Sequence, residues 1–441
     1  MKKLAFSWVS IALAASGFLS ACGGGGGGGG GATEDAAFAG PTAVAGFTAT
    51  ADAPSRVGSD TTFTPDAGGL GYPFASRKKA YVAGIRPTSA NQAAQDALIR
   101  KQYDYWKTGV EARCGGYVVK FSDAYASVSE GAGYGMLLTV VMAGYDSDAK
   151  KLFDGLFRVA RSKPAYGLNE PALMEWRINA DCSSGGNGWN AIDGDLDIVM
   201  ALLMADRQWG SVGTVNYKKE ALATIDAMKR RNMHAQGFTI GLGTVNTSRT
   251  SDYMITHFKA FKRATGDAFW DLAATKSFEL LNLMQSKFAP ATGLIPDFIV
   301  NTNSTPIPSP GYMGDGNLLE DDYSYNACRI PWRLASDYVT SGDERSKTVT
   351  VKLTDFFNSA TGGNPANFSG GYTLDGTPMA PGYPSTAFVG PATAGAMVDA
   401  KFQPFLNSLW AHSSSNLENG YYGNELQLLS LVVASGNWWN P

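Results

Sequence analysis

Histidine and cysteine are scarce in this chain, with three His and four Cys among 441 residues. No Cys-x-x-Cys pair occurs, and His234, His257 and His412 are the only imidazoles, so no structural or catalytic zinc site is expected. Charge is sparse as well. Charged residues make up 17% of the chain and the formal net charge is -3, which leaves no basic footprint for nucleic acid. Polyanionic partners are therefore disfavoured, while neutral polymers or a cationic polysaccharide stay open. What remains is apolar: hydrophobic residues are 44% of the sequence, enough for a large core. The aromatic share of 12% suits sugar stacking as well as core filling. The length admits either two or three average domains or one large α/α barrel.

The one long apolar run at the N-terminus, Phe6 to Leu19, follows Lys2 and Lys3. It has the length of a signal-peptide core and is short for a membrane span. It ends in Leu19-Ser20-Ala21-Cys22, which resembles the lipobox of bacterial lipoproteins and marks Cys22 as the lipid attachment site. The expected location is the bacterial cell envelope, with the chain exported and held by that lipid. Gly23 to Gly31 follow with no Lys-Ser or Lys-Thr behind them, so they make a tether and not a phosphate-binding loop. The expected organisation is a signal segment over 1–22, a flexible tether over 23–71 and one catalytic domain over 72–441, expected to be monomeric. Of the remaining cysteines, Cys114 and Cys182 are the preferred disulfide pair, because Cys328 lies inside a motif discussed below.

From Tyr72 onward helical patterns dominate. Ser89-Ala90-Asn91-Gln92 has the form of a capping box, and Leu98, Ile99, Tyr105 and Trp106 follow at helical spacing up to Lys107. Two kinds of helix then alternate. Met136 to Ala143 and Leu196 to Ala205 are apolar nearly all round, whereas the segments around Leu152–Ala160 and Tyr217–Arg230 are amphipathic. A helix that is apolar on every side is buried on every side, so the alternation predicts an inner and an outer layer. The fold expected is an all-α toroid of helical hairpins, its working surface built from loops at the N-terminal ends of the inner helices. Gly115 to Lys120 and Gly237 to Asn246 are candidates for short β-hairpins.

Two acidic motifs stand at the heads of the apolar helices. Ser129-Glu130-Gly131-Ala132-Gly133-Tyr134-Gly135-Met136 sets one carboxylate among glycines, which would let a bulky ligand approach the backbone; a plain helix N-terminus reads equally well. Asn190-Ala191-Ile192-Asp193-Gly194-Asp195-Leu196-Asp197 lacks the glycine and the final glutamate of an EF-hand, having Ile198 and Met204 there. Together they suggest the paired carboxylates of a glycosidase, one protonated and one ionised. A helix N-terminus lowers the pKa of Glu130, whereas a neighbouring Asp193 and aromatic walls raise it.

These residues match a known pattern. The Glu130 and Asp193 motifs, Gln208-Trp209-Gly210-Ser211, Arg249-Thr250-Ser251-Asp252-Tyr253-Met254, the run from Tyr325 to Arg333 and the closing Tyr421-Tyr422-Gly423 through Trp439 resemble glycoside hydrolase family 8. The resemblance implies an (α/α)6 barrel, no cofactor and inverting hydrolysis of a β-1,4-linked or mixed-linkage glucan, chitosan or xylan. It makes Glu130 the general acid and Asp193 the acid that holds the sugar beside the scissile bond, with Asp195 a second choice. Where the better-known members carry an Asp as base, this chain has Asn326. That departure resembles the chitosanase and lichenase branch, whose base is an upstream Glu. Glu320 is the match, on a loop able to swing over substrate, with Asp321 and Asp322 as alternatives. Tyr134, Trp189, Asp252, Tyr253, Tyr325 and Asn326 become candidate substrate contacts, or core in the case of the aromatics. Arg249 and Arg329 either bind hydroxyls or orient carboxylates. A lipid-anchored glycan-binding protein without a base is the competing reading.

Overall fold

A computed structural model describes residues 65, 68–241, 245–310, 320–418 and 420–441. Cys22, the apolar run before it and the glycine run after it lie outside the described residues. Twelve α-helices carry the architecture among those described: α1 (Gln92–Lys107), α2 (Ser129–Val141), α3 (Ala149–Ser162), α4 (Ile192–Trp209), α5 (Tyr217–Arg231), α6 (Ile255–Thr265), α7 (Phe269–Leu283), α8 (Ile330–Ser341), α9 (Glu344–Thr361), α10 (Thr386–Gly395), α11 (Gln403–Ser415) and α12 (Tyr421–Ala434). The even-numbered helices pack side by side in the order α2, α4, α6, α8, α10, α12, and α12 returns to α2. Each odd-numbered helix packs outside this ring: α3 against α2, α5 against α4, α7 against α6, α9 against α8, α11 against α10 and α1 against α12. This is the expected (α/α)6 barrel.

The burial patterns explain the sorting. Every residue of α2 and of α10 is buried, as the all-apolar helices require. In α3 the buried set Leu152, Phe153, Leu156, Phe157 and Ala160 forms one stripe, with Lys150, Asp154 and Arg158 outside it. Helix α1 is capped by Asn91, whose side chain accepts the Ala94 N–H, so the expected Ser89 cap stands two residues too early. Tyr105, expected on the inner face of α1, is 39% exposed.

Short strands decorate the end of the barrel where the inner helices begin. Strands β1 (Val110–Arg113) and β2 (Gly116–Val119) form the expected hairpin, and β3 (Tyr125–Val128) leads directly into α2. The remaining strands are β4 (Pro164–Ala165), β5 (Glu170–Met174), β6 (Arg177–Asn179), β7 (Thr247–Arg249), β8 (Phe298–Val300) and β9 (Ile307–Pro308); β3 pairs with β6, β4 with β5, and β7, β8 and β9 form one small sheet. The described part of 237–246 is not a strand hairpin; the chain enters β7 instead and pairs there with β8. A disulfide joins Cys114, at the tip of the first hairpin, to Cys182 beyond β6, as the sequence suggested.

The opposite end is closed by residues 71–85. Gly71 N–H bonds Gln208 O at the end of α4, and Phe74 N–H bonds Ala143 O beyond α2. Val82 N–H reaches Val339 O in α8, and Ile85 N–H reaches Met397 O beyond α10. Tyr81 Oη bonds Val433 O in α12. The segment thus satisfies carbonyls that helix ends leave without intrahelical partners, and it fixes where the chain enters the fold: at the pole away from the first turns of α2 and α4.

Candidate active site

Two glycines decide how closely those first turns approach. A Cβ on Gly133 of α2 would lie 2.7 Å from Asp197 Cβ and 3.0 Å from Gly194 O on α4. A Cβ on Gly194 would lie 2.4 to 2.6 Å from Ser129. The two helices therefore cross with backbone nearly on backbone, and Glu130 and Asp193, both in first turns, are brought together. This corrects the reading of the glycines as room for a ligand. Gly135 likewise faces Val119, Leu156 and Trp106, so its missing side chain is room for protein.

Arg329 joins the two carboxylates. One guanidinium nitrogen, Nη1, donates to Glu130 Oε2 at 2.5 Å and to Asp193 Oδ2 at 2.8 Å. The three residues are 0 to 1% exposed. Glu130 receives one further bond, from Tyr421 Oη at 2.9 Å. Asp193 is held harder: Arg249 Nη2 lies 2.8 Å from Oδ1, and Gly194 N–H donates to it. The consequences differ in sign. Burial pushes the Glu130 carboxyl up to about 7; Arg329 opposes this, the Asp193 charge adds to it, and Tyr421 and Arg249 pull it down. Burial also works against the Asp193 charge, but Arg249 and Arg329 outweigh it and hold that carboxyl well below the usual carboxylate range. One acid keeps its proton near neutral pH while its neighbour stays ionised.

The other expected site residues fall into three groups. Arg249, Asp252, Asn326 and Arg329 form the inner network. Arg249 Nε donates to Asp252, whose carboxyl is raised to about 6, by burial first and by the Asp193 charge after the opposing Arg249. Asn326 Oδ1 accepts from Arg329 Nη2 at 2.8 Å, and its backbone carbonyl accepts from Arg329 Nε. Tyr134 and Tyr253 lie beneath the carboxylates at 0% and 2% exposure and present no ring face to a ligand in this structure. Trp189 and Tyr325 are half-buried. Asp195 turns toward its own scaffold, accepting from Met174 N–H and Asn190 Nδ2, and burial raises it to about 7.

Glu320 is fully buried, not on a loop tip open to swing. Its carbonyl accepts the Phe298 N–H of β8, and residues 311–319 before it lie outside the described residues. Asp321 is exposed and Asp322 half-buried. Two positions of the network were not singled out from the sequence. Asp297 accepts the N–H groups of Ser324, Asn326 and Ala327 and the Asn326 amide, shaping the turn that delivers Arg329. Tyr421 stands in the closing motif but meets Glu130 across 291 positions of sequence. Trp176 was also missed: half-buried just before β6, it lies under the Arg177 guanidinium at 4.4 Å, and its carbonyl accepts the Ser129 N–H that opens α2.

Known proteins are similar to this chain. The family model described as "Glycosyl hydrolases family 8" matches residues 83–436. A beta-glucanase of Niallia circulans is 37% identical over 369 residues, covering 81% of this chain and 89% of its own length. An endoglucanase of Bacillus sp. (strain KSM-330) is 36% identical over 378 residues, covering 82% of this chain and 80% of its own. The apo structure of a beta-1,3-1,4-glucanase from Paenibacillus sp. X4 superposes with a TM-score of 0.80 at 36% identity, covering 84% of this chain and all of that one. With its barrel, its carboxylate pair and a family match spanning most of its length, this chain belongs to glycoside hydrolase family 8 and is a glycoside hydrolase.

Proposed function

We propose that the protein is an endo-acting, inverting β-glucanase in which Glu130 donates the proton. The observation that carries this is the unequal sharing of donors: Asp193 has Arg249, Arg329 and the Gly194 N–H and stays ionised, while buried Glu130, with only Arg329 and Tyr421, is raised to about 7. Glu130 gives its proton to the glycosidic oxygen as the bond to the anomeric carbon breaks. A water attacks that carbon from the opposite face and gives up its own proton to a base, so the configuration inverts. Asp193 holds the sugar at the cleavage point. Asn326 is no base: an amide has no proton affinity at neutral pH, and both its side-chain atoms are tied to Arg329 and Asp297. Glu320 is assigned as the base, carried on the stretch that runs beside β8 into the Arg329 turn.

The charges around the site favour a neutral polymer over cationic chitosan. Two guanidinium groups, Arg249 and Arg329, stand against Asp193, Asp252 and a Glu130 raised to about 7, so within this inner network positive and negative charge nearly balance. The named relatives, a beta-glucanase, an endoglucanase and a beta-1,3-1,4-glucanase, point the same way. Trp189, Tyr325 and Trp176 supply ring faces for sugars. On barley β-glucan and carboxymethylcellulose the protein is expected to release reducing ends throughout the polymer, with chitosan and xylan slower, and proton NMR of the first product should show the α-anomer. Glu320→Gln should lower the rate about 10²–10⁴-fold. A first-formed β-anomer contradicts inversion, and an unimpaired Glu320→Gln moves the base elsewhere.

The pH dependence has a definite sign. The donor works only when protonated, so activity falls as pH rises through about 7. The Tyr421 hydrogen bond favours ionised Glu130. Tyr421→Phe should therefore move the alkaline limb upward, by about one pH unit for a hydrogen bond to a charged group. A limb that stays in place would exclude Glu130 as the group that sets it.

We also propose the lipid anchor at Cys22. The chain joins the barrel at the pole opposite the carboxylate pair, so an anchor upstream leaves the cleft clear. Cys22→Ser should pass from the membrane to the soluble fraction; a variant that fractionates like the natural protein refutes the anchor.

A further inference from the structure

Directly beneath the acid layer lies a second one that the proposed chemistry does not use. Asp197 follows Asp193 by four residues on α4, Arg333 follows Arg329 at the start of α8, and Tyr134 follows Glu130 on α2, each about one turn or 5.4 Å deeper into the barrel. In this lower layer Arg333 grips Asp197 with both terminal nitrogens, Nη1 to Oδ1 at 2.7 Å and Nη2 to Oδ2 at 2.5 Å. His257 of α6 adds Nε2 at 2.9 Å from Oδ1. The Arg333 guanidinium lies 3.9 Å over the Trp332 indole. All three charged or polar members are at most 3% exposed.

A small enclosed cavity with room for about one water adjoins this layer, lined among others by Thr256, His257, Trp332 and Arg333. Each of these four side chains has one buried polar atom that no group among the described residues bonds: Thr256 Oγ1, His257 Nδ1, Trp332 Nε1 and Arg333 Nε. Their chemistry is complementary to a single water, which accepts two hydrogen bonds and donates two. Trp332 and Arg333 offer N–H groups, and His257 and Thr256 offer acceptors.

We propose that Asp197, Arg333 and His257, completed by a water in this cavity, are positioning residues that hold Arg329 and Asp193 in register above them. The bidentate lower rung fixes the separation of α4 and α8, because the planar fork admits one geometry. The Cβ of Asp197 is also the atom against which Gly133 of α2 seats, so the same residue sets the height of Glu130. The water takes the Nδ1 lone pair of His257 and leaves the Nε2–H for Asp197. Asp197 thus stays ionised with three N–H donors, and burial keeps His257 neutral.

The inference rests on Glu130, Asp193 and Arg329 being the reacting layer, and the test separates the two. Replacing a buried ion pair as a pair by apolar residues of similar volume is often neutral for stability, so stability and positioning come apart. In the full chain, Asp197→Leu/Arg333→Met should melt near the natural temperature and keep KM within about two-fold, while kcat on barley β-glucan falls about 10- to 100-fold. Arg333→Lys, with one contact in place of two, should fall between. A folded double variant with natural kcat, or with its loss confined to KM, overturns the proposal. Glu130→Gln in the same assay is the control: if it is active, the reading of the reacting layer fails instead. Should the double variant not fold, ¹⁵N NMR of His257 in the natural protein decides. A neutral ring with the proton on Nε2 from about pH 5 to 8 supports the layer, and a proton on Nδ1 or an imidazolium in that range overturns it.

Discussion

One guanidinium nitrogen reaches two buried carboxylates, and the rest of the site follows from the fact that their other donors are unequal. Removing a charge from water costs several kcal/mol unless partners replace the hydration. Asp193 has those partners: Arg329, Arg249 and the Gly194 N–H. Glu130 has the remainder, the shared Nη1 and the Tyr421 hydroxyl. Where two acids sit together in a dry site, the better-solvated one takes the charge and the other takes the proton. The division of labour a glycosidase needs is therefore built from unequal numbers of donors around chemically similar groups.

The barrel serves this inequality at three points. The glycine crossing of α2 and α4 brings the acids close enough to share a cation. Asp297 gathers four N–H groups from Ser324 to Ala327 and so shapes the turn from which Arg329 projects, while Asn326 orients the guanidinium fork through both its side chain and its carbonyl. The strap across the floor binds the far ends of the inner helices, so the first turns at the other pole rest on helices fixed at both ends. Buried ion pairs add little net stability over apolar packing; their effect here is directional.

Much of this was legible in the sequence. Helices such as α2 and α4 carry no polar face, which forces them inside, and the amphipathic α3 and α5 then have only the outside left. The acids at the heads of those inner helices announced themselves by their cost. The glycines were visible but misread, because spacing cannot tell a ligand from a neighbouring helix. Tyr134 and Tyr253 stayed open between sugar contact and core for the same reason: a ring beside an acidic motif can lie above it or below it, and spacing does not decide. Asn91 rather than Ser89 caps α1: either residue type can accept from an N–H three positions on, and spacing alone does not choose between them. Asp297 carried no motif, and Tyr421 stood in one whose contact with Glu130, 291 positions away, spacing does not show.

The central claim is that burial, with fewer donors than Asp193 has, leaves the proton on Glu130. It is tested most directly by titrating the carboxyl carbon of Glu130 with ¹³C NMR, identifying the resonance as the one absent from Glu130→Gln. The account predicts a midpoint near 7, against an ordinary value of 4.5, with Asp193 remaining ionised throughout the transition. A Glu130 carboxyl that titrates in the ordinary range, or an Asp193 that takes up the proton in its place, would contradict it.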